Sequence, residues 1–200
     1  GGGNVHPVAT LEEAAATAVA VARGEHPGAD AEPAKLARTQ GFMRGLYSGG
    51  TYCTEAQLIL RDAGIATWSN VPVDKEYALP RGAPSREHTA IDLGADEFTV
   101  GRPHPMIDFS ARSERLLEEA KDPSVAVIVL DVVLGYGAHP DPAGVLAPAV
   151  REALAIAAAE KRKLIVLGFV CGTEGDPQGL AAQVARLRDA GMLLAPTSSA

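Results

Sequence analysis

VAVIVLDVVLGYGAHPDP, residues Val125 to Pro142, decides the fold. Its first half is rich in valine and isoleucine and shows no alternation of apolar and polar positions, the composition of a strand covered on both faces. The run empties into Gly135, Gly137 and two prolines before a helical pattern begins. An apolar strand ending in a glycine-rich bend predicts the central strand of an open α/β sheet, with ligands seated at the edge where the bend lies.

Downstream, Ala143 to Lys161 is a long alanine-rich helix and LIVLGFV, Leu164 to Val170, a second buried strand. The segment Cys171 to Pro177 is a glycine turn into a helix over Gln178 to Ala190, and Met192 to Ala195 is a last strand. Upstream, GFMRGLY (41–47) reads as a strand that Ser48, Gly49 and Gly50 turn straight into the helical pattern TYCTEAQLILRDAG. HTAIDLG, His88 to Gly94, is another short strand, and Ser110 to Lys121 a helix stopped by Asp122 and Pro123. Between these lie two non-periodic stretches. The proline-rich one from Ala66 to Glu87 suits a flap or an interface arm, and ADEFTVGRPHPMID carries Arg102 and His104 among prolines that fix the backbone. The alternation predicts an α/β fold: a mostly parallel sheet of about five strands with helices on both faces.

The first 34 residues read as a glycine-rich linker and a capped, alanine-rich helix, Leu11 to Arg23, and the compact domain spans 35–200. An appended helix of this kind predicts a larger parent chain upstream. The formal net charge of -7, without a lysine or arginine cluster, argues against nucleic-acid binding. No run of eighteen apolar residues suggests a membrane span, and the chain reads as soluble and cytoplasmic. Cys53 and Cys171 form no CxxC pair, so no metal is expected. No GxxxxGK[ST], GxGxxG or GxSxG motif occurs.

Four strand ends carry glycine beside a polar or acidic residue: Ser48 to Thr51, Asp92 to Asp96, Asp131 to Gly137, and Gly172 to Asp176. In a parallel sheet they share one edge, so the loops should converge there. Ser48, Gly49 and Gly50 at a helix start suit a phosphate or carboxylate, although a ligand-free βα turn uses similar residues. Thr51 and Thr173 can donate hydroxyl hydrogen bonds, and Arg102 can clamp an anion bidentately. Asp92, Gly94, Gly135, Gly137, Gly172, Glu174 and Gly175 complete the expected binding set; Glu174 can equally be a helix cap. Asp131, a charge inside an apolar strand, needs a definite partner, in the site or as a buried acceptor for a loop N–H. His104 and His139 are the candidate phosphoryl acceptors or acid/base groups, or loop histidines bonded to backbone. Cys53, in a first helical turn, is a low-pKa nucleophile or a small buried filler.

LYSGGTYCTEAQ, IDLGADEFTVGRPHPMID, VIVLDVVLGYGAHPDPAG and GFVCGTEGDPQG resemble, in this order, the C-terminal half of FdrA-type acyl-CoA synthetases, relatives of the succinyl-CoA synthetase subunits. The similarity runs from about Gly45 to Ser198. It implies a flavodoxin-like three-layer sandwich whose helix N-termini hold the phosphate of a phosphohistidine or acyl phosphate. It further implies a small-molecule carboxylate substrate, CoA and a nucleotide bound through other domains, an upstream CoA-binding domain or partner subunits, and an oligomer. The family's GHAG-type phosphohistidine motif does not occur here, so the chain is expected to be one part of an acyl-CoA ligase. The alternatives are a subunit of an oxamate carbamoyltransferase using carbamoyl phosphate, and a non-catalytic assembly domain.

Overall fold

The computed structural model describes Leu36 and residues 39 to 195. The amino-terminal linker and the helix expected over Leu11 to Arg23 lie outside these residues. The strands are β1 (Phe42–Tyr47), β2 (Trp68–Ser69), β3 (Thr89–Asp92), β4 (Val125–Val133), β5 (Ile165–Cys171) and β6 (Leu193–Ala195). The helices are α1 (Gly50–Asp62), α2 (Asp96–Thr99), α3 (Ser110–Lys121), α4 (Pro142–Ala159) and α5 (Leu180–Asp189), with a 3-10 turn at Lys75–Tyr77.

The six strands form one sheet in the order β2-β3-β1-β4-β5-β6, and every pair among the described residues is parallel. The expected five strands become six because Trp68–Ser69, inside the proline-rich stretch, adds an edge strand beside β3. Two residues show no alternation that a sequence could reveal. Trp68 is anchored instead by Arg86, stacked 3.6 Å above its ring, and by its indole N–H donating to Glu87 at 3.1 Å.

Val125–Val133 lies mid-sheet between β1 and β5, as its two-sided apolar run predicts. One face packs Ile128, Leu130 and Val132 against Leu116 of α3, Leu146 and Val150 of α4, and Leu187 of α5. The other face packs Val127 and Val129 against Cys53, Ala56 and Leu60 of α1. The result is a three-layer α/β sandwich. Helix α4 is long and apolar enough by composition to cross a membrane, yet Ala143, Leu146, Val150, Ala153 and Ala157 are buried in the core.

The strand order reverses between β1 and β4. The chain leaves β1 for α1 on one face and leaves β4 for α4 on the other, which makes a crevice at their carboxyl ends.

Candidate functional site

The loop after β1 lies against that crevice. Gly49 is the N-cap of α1 with extended backbone and supplies no side-chain cap, and the first turn carries no acidic residue. The opening N–H groups of this helix therefore have no cap from Gly49 and carry the positive end of the helix dipole. Ser48 is buried under the loop; its N–H donates to Asp131 Oδ1 at 2.7 Å, and its hydroxyl donates to Asp131 Oδ2. Asp131 is wholly buried, and Arg112 Nη2 donates to its Oδ1 at 3.3 Å and to its backbone O at 2.6 Å. The charge inside the apolar strand thus has both a counter-charge and a loop to hold.

The loop after β3 adds Asp92, Gly94 and His104. Asp92 Oδ1 accepts the Gly94 N–H at 2.8 Å, and its Oδ2 would sit 3.2 Å from a Cβ placed on Gly50. Asn70 clamps the Asp92 backbone through two 2.9 Å bonds. Gly94 is required by close approach: a Cβ there would lie 2.6 Å from Ser48 O and 2.8 Å from His104 Nε2. Burial pushes the Asp92 carboxyl above its ordinary value, partly offset by the Gly94 N–H and by His104. A carboxyl whose proton affinity burial raises, an imidazole and an open helix N-terminus therefore meet within one small volume.

Both candidate histidines are oriented by the same device. His104 Nδ1 accepts the Met106 N–H at 3.2 Å, and His139 Nδ1 accepts the Asp141 N–H at 3.0 Å. These bonds assign the hydrogen of the neutral ring to Nε2. In that tautomer Nε2 is a hydrogen-bond donor to an anion. The His139 N–H donates to Met106 O at 2.8 Å, which joins the two histidine loops, and its ring meets Phe109 edge-on.

The third and fourth loops pair with each other. Gln178 accepts from Gly135 N at 3.1 Å and donates to Gly135 O at 2.7 Å and His139 O at 3.2 Å. Gly135 adopts a φ of 128°, which only glycine takes without strain. Thr173 commits its N–H and its hydroxyl to Asp176, while Glu174 and Gly175 are exposed in that turn. A Cβ on Gly172 would meet the Leu134 side chain at 2.8 Å, so this glycine is a packing position. Gly137 and Thr51 are exposed, and Arg102 is an exposed side chain whose charge lowers the Asp108 carboxyl only after the Ser110 hydrogen bonds have done so.

The structure thus brings Ser48, Gly49, Gly50, Asp92, Gly94, His104 and Asp131 together, with Gly135 and His139 alongside. Arg112, Asn70 and Gln178 belong to the same construction and were not legible, because each acts across a long sequence gap. Cys53 resolves as filler: it is buried against Ser69 and Gln57, and burial pushes its thiol up to about 12.

A cavity of about 280 Å³ opens at the opposite end of α1, among Gln57, Arg61, Thr67, Asp74 and Tyr77. With Glu76 and Asp74 against one arginine, its lining does not suit the phosphates of CoA. Among the described residues, no group of three or more His, Cys, Asp or Glu could hold a metal ion.

Comparison with known proteins gives a relative and a family. A protein of Escherichia coli (strain K12), the uncharacterized protein YahF, is 47% identical over 166 residues, which is 83% of this chain and 32% of YahF. The chain thus spans about a third of that relative's length. A family model described as CoA-ligase matches residues 46–200, from the end of β1 through all four glycine loops. By that match the chain belongs to the CoA-ligase family, the succinyl-CoA synthetase-like group of acyl-CoA ligase domains.

Proposed function

We propose that the chain supplies the phosphate-holding edge of an acyl-CoA ligase assembly of the FdrA type, with CoA and the nucleotide bound by partner domains or subunits. The observation that carries this reading is the uncapped N-terminus of α1, seated at the strand-order reversal with His104 Nε2 beside it. A phosphate or acyl phosphate there would face the free N–H groups of the first turn and one imidazole donor. The family match supports ligase chemistry. The 32% coverage of YahF supports further domains as the site of CoA binding.

A helix N-terminus contributes roughly 0.3 to 2 kcal/mol toward an anion and the imidazole donor adds to it, so the chain alone should bind phosphate no more tightly than about the millimolar level. Calorimetric titration at low salt with inorganic phosphate, carbamoyl phosphate and CoA tests this. Millimolar binding of phosphate compounds, weakened at least tenfold by Gly50→Val with the fold intact, is the expected result. Tighter binding of carbamoyl phosphate than of inorganic phosphate would direct assays to carbamoyl transfer. Absence of binding by either phosphate compound would overturn the reading and leave an assembly domain.

A further inference from the structure

The ladder between β1 and β4 stops at Leu46 opposite Leu130. Beyond it each strand keeps only its outer partner, Tyr47 beside Asp92 and Asp131 beside Phe169. The parting leaves the carbonyls of Leu46 and Asp131 in a gap where strand N–H groups no longer reach, and buried carbonyls need donors. One atom serves both: Arg112 Nη2 donates to Leu46 O at 3.1 Å and to Asp131 O at 2.6 Å. Arg112 comes from α3 on one face of the sheet, while Asp131 lies in line with Val127 and Val129 on the face that α1 covers. The arginine therefore reaches into the sheet at the strand-order reversal.

This device is costly. Arg112 and Asp131 are both wholly buried, and Arg112 Nε and Nη1 have no hydrogen-bond partner. Burial pulls the guanidinium below its ordinary value, against the opposing effect of Asp131. A gap that needed only filling would be filled more stably by apolar side chains. What apolar residues cannot do is accept the N–H and hydroxyl of Ser48, as Asp131 does, immediately before the uncapped turn of α1.

We propose that Arg112 and Asp131 are positioning residues for the anion site. Arg112 wedges β1 and β4 apart and cancels the charge of Asp131; Asp131 holds Ser48 and so fixes the Gly49–Gly50 turn. The inference rests on the phosphate-holding reading above. Without Arg112, a buried negative charge would sit behind the helix N-terminus and repel any anion bound at that terminus.

The test separates fold, loop order and ligand. Thermal melting, backbone order parameters of Gly49 and Gly50, and affinity for inorganic phosphate are measured for the parent, Arg112→Met, Asp131→Asn and Arg112→Met/Asp131→Leu. Arg112→Met alone should melt well below the parent, because it strands a buried carboxylate. The apolar double variant should regain much of that loss, yet bind phosphate at least tenfold more weakly, with order parameters at Gly49 and Gly50 falling from about 0.85 to below about 0.6. Asp131→Asn keeps an acceptor for Ser48 and should hold the loop better than the double variant, and it serves as the second reading if the double variant does not fold. Parent-like loop order and phosphate affinity in the double variant would overturn the proposal. If the parent binds no phosphate, the functional reading fails by itself, and unchanged loop order in the variants would separately sink the positioning role.

Discussion

Asp92 is a residue of the carboxyl edge whose ionisation the fold shifts. Its carboxyl faces the Gly50 end of α1 and is destabilised as an anion chiefly by burial, so its proton is held more tightly in the fold than in the unfolded chain. Between the ordinary and the raised value the folded state binds more protons, and stability contributed by the neutral acid falls as pH rises through that window. The melting temperature of the parent should therefore decline relative to Asp92→Asn as pH rises through it. A seated phosphate would raise the proton affinity of Asp92 further, so phosphate binding should take up protons. Calorimetry in two buffers of different ionisation enthalpy reads this uptake, and Asp92→Asn should abolish it; equal apparent enthalpies for the parent would remove Asp92 from the site. Glycines, Asp92 and Asp131 were legible at this scale because each breaks a local pattern. Arg112 was not: in SARSERLLEEAK it looks like any helix-surface arginine, and only the parting of β1 and β4 gives it work.

The valine-rich β4 and the helix that follows it are written in local composition, so their positions follow from the sequence to within a residue or two. Sheet order is not local. It emerges from which faces the helices cover, and the edge strand β2, held by a stacked arginine, has no periodic signature. The glycine loops show the same division. Gly50 and Gly172 look equivalent as glycines after a strand, but a Cβ on Gly50 meets only Asp92 Oδ2, whereas one on Gly172 meets Leu134 at 2.8 Å. Gly172→Val should thus cost about 1–3 kcal/mol by overpacking and lower the melting temperature by several degrees. Gly50→Val should leave melting nearly unchanged while covering the helix N-terminus. Paired melting and phosphate titration on the two variants check this, and equal stability losses would mean that both glycines serve packing.

At the scale of the molecule, the two edges of the sheet carry different work. The carboxyl edge holds the uncapped helix, the close-approach glycine and the histidines. Toward the amino edge lies a dense ionic network: Arg44, 1% exposed on β1, binds Glu119 and Asp122 of the α3 terminus at 2.9 Å each. Arg115 adds a 2.7 Å pair with Glu119 and reaches Ser85, which ties the proline-rich arm to the same helix. Among the described residues, the ion pairs and side-chain bonds of this network reach none of the crevice side chains, so stability and ligand binding should be separable by mutation. Arg44→Met removes one of the two arginines that pair with the buried Glu119, leaving its Oε2 without that donor, and should cost about 1–3 kcal/mol. Hydrogen bonds from Ser124 and the pairing with Arg44 hold the Asp122 carboxyl below its ordinary value against the opposing pull of burial, so its share of stability is present above that value and lost as pH falls through the folded one. In Arg44→Met that acid-side loss should shrink, because the arginine's part of the depression is gone. At temperatures where the variant remains folded, phosphate affinity should equal that of the parent. A parallel fall in affinity and melting temperature would show instead that the amino edge transmits strain through β1 to Ser48, and that the sheet behaves as one rigid unit.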